Sequence, residues 1–462
     1  MNIHRRLTRK DITLFTLSAV LTIDGLAAAA SVGVQSLTWW LIAFLFFAIP
    51  YALISIELGT RWPSRGGIVH WVKLAFGAGW SARTSWLYWV NVALWMPATF
   101  IMMAGVFAQM FWPTMSLTYQ ILFALVATWL TVLICCLSLD TGKWIPNAGA
   151  CCKIVVVFLL GIGGVMTAYH SGLANPINLQ TLTPSLDDGL RFFPVIIFSL
   201  VGFDLISCIG DEIKDPEKDL PFAQLMAVGL ITIFYLFAVF GILAALPVEQ
   251  IGLINGLLAT LERIVAPLPG SDILLLMLGL LIMFSLVANM VTWSIGANYA
   301  AAEAAHSGEL PALFGLEHPT SGTPVGASVL SGILASLAIL LYGVMADSAD
   351  ALYWSLFSFA NLIFLLPYLL LFPAYLVLKE RDLSPNHGLQ LIRDSWAIRA
   401  AAFSPWILTV MAVFFFIFPL GTYDLLHTSS TMLGLLLVIG VGEWMRSKRQ
   451  IREEKLSGCL AS

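Results

Sequence analysis

Twelve stretches of roughly twenty mostly apolar residues run through this sequence, and each is long enough to cross a bilayer as a helix. Charged residues make up only 11% of the 462 residues, too few to cover the surface of a soluble protein of this length. The sequence therefore predicts an all-α integral membrane protein with twelve transmembrane helices. The predicted spans are 12–34, 38–58, 84–110, 118–138, 145–168, 192–210, 225–246, 272–300, 325–344, 351–378, 403–420 and 429–445.

The stretch 250–268 is less apolar and contains Glu262 and Arg263, so we expect it to form an amphipathic helix at the surface. The basic first residues lead into span 12–34 without a small-residue cleavage site, which favours a retained first helix.

The distribution of positive charge predicts the orientation of the spans. If both termini are cytoplasmic, 20 of the 23 Lys and Arg residues lie in cytoplasmic segments. Arg191 and Arg263 lie in external segments, and Lys153 lies within a span. This asymmetry strongly favours cytoplasmic termini and an even number of spans. We therefore expect a multi-pass protein of the cell (inner) membrane. No basic domain that could bind a nucleic acid is present.

The first and sixth spans each contain a helix-breaking glycine beside a carboxylate. Span 12–34 has Asp24-Gly25 at its middle, and span 192–210 has Gly202 two residues before Asp204. Interrupted helices at matching positions in two halves are typical of transporters built from inverted repeats. The pattern predicts one domain, 1–462, made of a repeat at 12–168, a second repeat at 192–378 and two additional helices at 403–445.

Unwinding at these glycines would free backbone N–H and C=O groups to bind a zwitterion. The neighbouring carboxylate could then act as a gate, a proton acceptor or a counter-charge. The competing interpretation is that the glycines only allow close helix packing. Lys153 is the one remaining cation, and it falls inside the fifth span. We expect its ammonium group to bind backbone carbonyls of the unwound first span, near residues 25–28.

Three loop motifs resemble those of the amino acid–polyamine–organocation superfamily of transporters. They are ELGTRWPSRGGIVHWVKLAFG at 57–77, GFDLISCIGDEIKDPEKDLPFA at 202–223 and GELPALFGLEHPTSGTPVGA at 308–327. They follow the family's order and lie at the expected places along the chain. Within the superfamily, the sequence is most similar to the bacterial glutamate:GABA antiporter-like branch.

The resemblance implies a set of substrate-binding residues, although DGLAA keeps only one glycine where the family usually has a G-S-G run. Phe198 matches an aromatic lid over the substrate, and Trp293 matches a pocket tryptophan that could otherwise be an interfacial anchor. The remaining implied substrate ligands are Ile23, Gly25, Leu26, Ala27, Ala28, Met96, Thr99, Ser199, Gly202 and Asn361.

The resemblance also implies residues for gating or proton coupling. Asp204 matches the family's gating acid, and Asp24 is a second candidate beside the first interruption. Lys153 matches a lysine that stands in for a sodium ion in proton-coupled relatives. It is interpreted either as a group that exchanges a proton during the cycle or as a fixed cation that ties the fifth span to the first.

The predicted function is secondary active transport of amino acids or related amines by alternating access, through proton coupling or exchange. Its expected partners are a small-molecule substrate, protons and the lipid bilayer, with no metal or cofactor. A membrane-embedded enzyme is the first alternative, but it would need clustered ligands or catalytic groups at one depth, and none of the seven histidines lies at a span centre. The second alternative is an uncoupled channel or a receptor-like protein.

Overall fold

The computed structural model describes residues 8–460, except 65, 138–143, 186–189, 191, 208–212, 214, 382–388 and 420–424. For residues 425–427 and 448–460 only the backbone is described. All regular elements of the described chain are helices. In order they are α1 Arg9–Val20, α2 Leu26–Ala30, α3 Ser36–Arg61, α4 Ile68–Phe76, α5 Ala78–Phe111, α6 Leu117–Cys136, α7 Trp144–Ser171, α8 Leu179–Leu182, α9 Phe193–Ser199, α10 Pro216–Ala245, α11 Gly256–Val265, α12 Ser271–His306, α13 Val325–Met345, α14 Ala349–Arg381, α15 Ser395–Ile417 and α16 Leu425–Leu460.

Ten helices among the described residues are long and apolar enough to cross a membrane. They confirm ten of the twelve predicted spans as continuous helices. The predicted starts of three spans were too late, because α5 begins at Ala78, α10 at Pro216 and α15 at Ser395. In each case the helix begins in a more polar turn before the apolar stretch, which hydropathy alone does not reveal.

The first and sixth predicted spans contain shorter helices. Residues 12–34 fold as α1 and α2 with a non-helical stretch between them, and α9 ends at Ser199 within residues 192–210. The start of α1 is fixed by a capping box, in which the Thr8 hydroxyl accepts from the Asp11 N–H and the Asp11 carboxylate accepts from the Thr8 N–H. Pro194 lies in the first turn of α9, where proline is well tolerated.

Small residues bring α7 and α10 into backbone contact. A Cβ added at Gly164 would lie 2.4 Å from the Gly241 Cα, and one added at Gly241 would lie 2.1 Å from the Leu160 carbonyl oxygen. Larger side chains would force these helices apart, so the glycines fix their separation. This packing places Lys153 of α7 and Tyr235 of α10 beside the first interruption.

The predicted amphipathic helix is α11. Its apolar side chains Leu257, Leu258 and Leu261 are buried in the protein, whereas Glu262 and Arg263 are exposed. Gly256 packs on α2, since a Cβ there would lie 3.2 Å from the Ala27 Cβ. Only the polar face of α11 therefore lies at the surface, and the helix covers the bundle next to the first interruption.

Ion pairs connect several segments that the sequence predicts to be cytoplasmic. Each joins side chains that are far apart along the chain, at nitrogen–oxygen distances of 2.5–2.6 Å. These segments therefore come together at one end of the bundle. The pairs are Arg9–Asp219, Lys73–Glu309, Arg83–Glu443 and Lys379–Glu57.

Candidate functional site

Side chains from other helices bind carbonyl groups around the first interruption. The Lys153 ammonium donates to the Ser18 carbonyl at 2.5 Å and the Trp293 indole donates to the Ala19 carbonyl at 3.0 Å. The Tyr353 hydroxyl donates to the Asp24 carbonyl at 2.7 Å. These donors replace helical hydrogen bonds that the non-helical stretch cannot make, which stabilises the break.

The second interruption requires a glycine at position 202. Gly202 has φ +121°, and a Cβ added there would lie 2.8 Å from the Trp293 Cζ2. Both the backbone conformation and the close approach of the indole ring exclude a larger residue. Trp293 therefore contacts both interruptions: its indole nitrogen binds the first and its ring packs on the second.

Tyr235 joins the two interruptions through its hydroxyl group. This group accepts from the Thr22 N–H at 2.8 Å and lies 2.7 Å from the Val20 carbonyl and 3.0 Å from the Ser199 carbonyl. Gly25 packs directly on α9, because a Cβ there would lie 3.2 Å from the Ser199 Oγ. The two interrupted segments thus form one continuous unit.

A buried group of rings, here called the aromatic cluster, lies against this unit. The predicted residues Phe198 and Trp293 are both in it and both contact the Trp95 ring, with centroid distances of 5.0 and 5.6 Å. Phe364 touches both of them as well, at 5.6 and 4.9 Å. Edge-to-face contacts of this kind hold rings in defined orientations. The cluster consists of Tyr88, Trp95, Phe198, Trp293, Phe357 and Phe364.

Asp24 lies at the edge of the aromatic cluster with only one of its oxygens bound. Its Oδ2 accepts from the Trp95 indole at 2.8 Å and lies 3.4 Å from the Thr99 hydroxyl. Its Oδ1 has no hydrogen-bond partner, although the residue is only 1% exposed. Asp24 and Thr99, both predicted site residues, are therefore neighbours.

Asp204 is surrounded by tyrosine hydroxyls. Tyr51 and Tyr368 donate to Oδ1, the latter at 2.9 Å, and Tyr88 donates to Oδ2 at 3.3 Å. The N–H groups of Gly202 and Asp204 in turn donate to the Tyr51 hydroxyl, each at 3.3 Å. Both carboxylate oxygens of Asp204 are thus bound, whereas only one oxygen of Asp24 is.

Lys153 is fully buried between three helices. Besides the Ser18 carbonyl, its ammonium group contacts the Asn289 Oδ1 at 2.6 Å. The Ser18 hydroxyl lies 3.0 Å from that of Thr292, next to the same group. The expectation that Lys153 binds carbonyls near residues 25–28 is wrong, because α7 passes α1 one turn before the interruption and meets Ser18 there.

Asn361 has a buried side-chain amide without a partner on either its nitrogen or its oxygen. It lies on α14 between Phe357 and Phe364, four residues after the first and three before the second, so it shares the face that contacts Phe198. Asn91 on α5 is likewise unpartnered and stands three residues after Tyr88. The other predicted ligands are all buried; they are Ile23, Leu26, Ala27, Ala28 and Met96.

Residues 7–442 match the family described as amino acid permease. The chain belongs to this family. It is 31% identical to a protein from Lactococcus lactis that is named probable agmatine/putrescine antiporter. The match covers 93% of this chain and 92% of that protein. It is 24% identical to the glutamate/gamma-aminobutyrate antiporter of the same organism, over 88% and 84% of the two chains. An inner membrane transporter of Salmonella typhimurium is 23% identical, over 76% of this chain and 77% of the transporter.

The comparisons confirm the predicted superfamily. They also confirm the prediction that the protein is a secondary transporter and not an enzyme. At the candidate site the permease places the buried Asp24 carboxylate beside the aromatic cluster, and the unpartnered amide of Asn361 shares a helix face with Phe357 and Phe364.

Several residues of the site were missed by the sequence analysis. Tyr88 and Trp95 are seven residues apart on α5, and Phe357 and Phe364 are seven apart on α14, so each pair shares one helix face. This spacing could have indicated a common role. The spacing gave no indication that the two faces meet, because contacts between distant spans are not encoded in local periodicity.

Proposed function

We propose that this permease exchanges amino acids or related amines across the cell membrane by alternating access. The observation that carries the proposal is the joining of two interrupted helices through Tyr235, with a buried aromatic cluster against them. Interrupted helices near the bilayer midplane provide binding groups and mobile half-helices in such transporters. One of the relatives named above is named as an antiporter and another as a probable antiporter, which supports exchange.

The proposed architecture has twelve spans. Ten are continuous helices. The first span consists of α1 and α2, and the sixth is the segment that contains α9. The proposal places residues 12–168 in one repeat, 192–378 in an inverted copy and 403–445 in two additional helices. The matching rank of the two interruptions, first in each set of five spans, supports this division.

Both termini are proposed to face the cytoplasm, in the inner membrane. The asymmetric distribution of Lys and Arg supports this orientation. The ion pair between Arg9 and Asp219 supports it further, since it joins the N-terminal segment to the start of α10. The pair between Arg83 and Glu443 likewise joins the start of α5 to α16.

The two interrupted segments and their partners are proposed to change position during transport. Asp204 would hold one end of the site closed through Tyr51, Tyr88 and Tyr368, and breaking these bonds would open it. Lys153 would hold α1 against α7 and α12 through the Ser18 carbonyl and Asn289. Loss of its proton would release that contact, whereas a permanently charged lysine would act as a fixed tie.

Exchange in proteoliposomes tests the function. The purified permease is reconstituted, and uptake of labelled amino acids and amines is measured with and without the same compound inside. Exchange predicts saturable uptake that depends on the internal pool. Uptake that does not saturate would instead indicate a channel. Saturable uptake that is the same in empty vesicles would indicate uniport or proton-coupled transport in place of exchange.

Two tryptophan variants link the activity to the site. Trp293→Ala removes a ring of the aromatic cluster and should weaken substrate binding by about 1–3 kcal/mol. Trp396→Ala is the matched control, because Trp396 is 72% exposed on α15. Phe198→Ala should behave like Trp293→Ala. Unchanged affinity in both site variants would assign these rings to packing.

A further inference from the structure

We propose that the Asp24 carboxylate binds the ammonium group of the substrate, so that the permease selects amines over the amino acids from which they differ by a carboxylate. The inference rests on the proposed function and specifies its substrate class. It gives Asp24 the role of a ligand in place of a gate or a proton carrier.

The unpartnered oxygen of Asp24 indicates a missing donor. A buried polar group without a hydrogen bond is unfavourable, and a buried carboxylate is more so. Asp24 Oδ1 has no partner, while the bonds from Trp95 and Thr99 occupy only Oδ2. An ammonium group supplies both the hydrogen bond and the compensating charge.

Three other buried charged residues of the described structure have protein partners. Asp204 is bound by three tyrosine hydroxyls. Glu57 accepts from Lys379 at 2.5 Å and from Tyr375 at 3.0 Å. The Lys153 ammonium binds Ser18 and Asn289, and in the described structure it forms no hydrogen bond with Asp24. Asp24 therefore differs from these charges in keeping one oxygen open.

The Asp24 carboxylate is held in place before any ligand arrives. Trp95 fixes one oxygen, and the Tyr353 hydroxyl holds the main-chain carbonyl of the same residue. Tyr353 is itself stacked on Phe357, with a centroid distance of 5.2 Å. Such preorganisation reduces the ordering cost of binding.

The surroundings of Asp24 suit a cation with an apolar chain. Trp95, which binds the carboxylate through its indole N–H, also contacts Phe198 and Trp293, so these two rings are separated from the charge by one side chain. Aromatic faces attract organic cations and cover methylene groups. The free amide of Asn361, on the face of α14 that contacts Phe198, can bind a polar group at the other end of the ligand.

A substrate carboxylate near Asp24 would be unfavourable. Two carboxylates that share a buried site repel each other, and the charged form of one is suppressed. An amine without a carboxylate avoids this repulsion. Agmatine and putrescine differ from arginine and ornithine, respectively, by one carboxylate, so these two pairs isolate its effect.

The test measures equilibrium binding of the two pairs to the purified full-length permease. For the unaltered protein we expect each amine to bind at least about tenfold more tightly than its amino acid. Asp24→Asn preserves the shape of the side chain and should weaken amine binding on the order of 30-fold or more. It should change amino-acid binding by less than about threefold, so the preference disappears. Asp272→Asn, at an exposed carboxylate on α12, is the matched control.

Two results would overturn the inference. The first is equal affinity for amine and amino acid in the unaltered protein, a measurement that needs no variant to fold. The second is amine affinity retained in Asp24→Asn; if that variant also loses the pH dependence of exchange, Asp24 is a proton carrier. If vesicles exchange amino acids but not amines, the proposed function survives and this inference fails; if they exchange neither, the proposed function fails.

Discussion

Replacing Tyr235 with Phe should loosen the junction between the two interrupted segments. The substitution removes one oxygen and leaves the ring, which stacks on Trp40 with a centroid distance of 4.3 Å and an interplanar angle of 18°. The lost hydroxyl accepts from the Thr22 N–H and can donate to the Val20 or Ser199 carbonyl. At any moment the variant therefore loses two hydrogen bonds, and packing is preserved.

The magnitude follows from the groups left behind. The Thr22 N–H and the Val20 carbonyl also bond each other at 2.9 Å, so neither is left without a partner, and the two lost hydrogen bonds cost about 0.5–1.5 kcal/mol each, or about 1–3 kcal/mol together. The interruption is already non-helical and has few alternative partners, which favours local opening over global unfolding. An opening made easier by about 2 kcal/mol increases the open population roughly 30-fold.

Hydrogen–deuterium exchange of the purified permease measures this opening. Peptides that cover residues 20–25 should exchange about 30-fold faster or more in Tyr235→Phe than in the unaltered protein. Tyr342→Phe is the matched control, because the described structure contains no hydrogen bond of the Tyr342 hydroxyl. Equal exchange in the two variants would refute the view that Tyr235 stabilises the first interruption.

Three further substitutions or fusions test other parts of the structure. Gly202→Ala should lower the midpoint of thermal unfolding, because the strained backbone and the overlap with Trp293 cost about 1–3 kcal/mol. Gly229 has open space around it, so Gly229→Ala is the control and should leave the midpoint unchanged or higher. Equal midpoints for the two variants would contradict the prediction. Lys153→Ala should retain some substrate binding but lose the pH dependence of uptake. Lys153→Arg should be nearly inactive, because guanidinium keeps its proton. If the alanine variant keeps the wild-type pH profile, Lys153 only holds α1 against α7 and α12 and carries no proton. A periplasm-active reporter fused after Ser462 should give no signal, whereas clear activity would overturn the proposed topology.

The helices were largely predictable from the sequence, because bilayer thickness sets the length of an apolar span. Both interruptions were also predictable, since a glycine beside a buried carboxylate is unfavourable in an ordinary transmembrane helix. The amphipathic character of α11 followed from Glu262 and Arg263. The burial of its apolar face against α2 did not, because interfacial helices and helices packed on protein share the same pattern.

The partners of the buried charges could not be predicted from local pattern. Asp204 is bound by Tyr51 and Tyr368, which are more than 150 residues away in opposite directions along the chain. Lys153 was identified as a charge at membrane depth, but its carbonyl partner proved to be Ser18. Such contacts depend on how distant helices are rotated about their axes, which hydropathy does not specify.

An experimental structure of the permease with a bound amine tests the central claim most directly. The amine is one that the exchange assay identifies as a substrate, and the measured quantity is the distance from its nitrogen to Asp24 Oδ1. Binding between the interrupted segments predicts a hydrogen-bonding distance, with Phe198 and Trp293 against the methylene chain. Density for the amine outside the aromatic cluster, with Asp24 Oδ1 still unbound, would contradict this placement of the substrate.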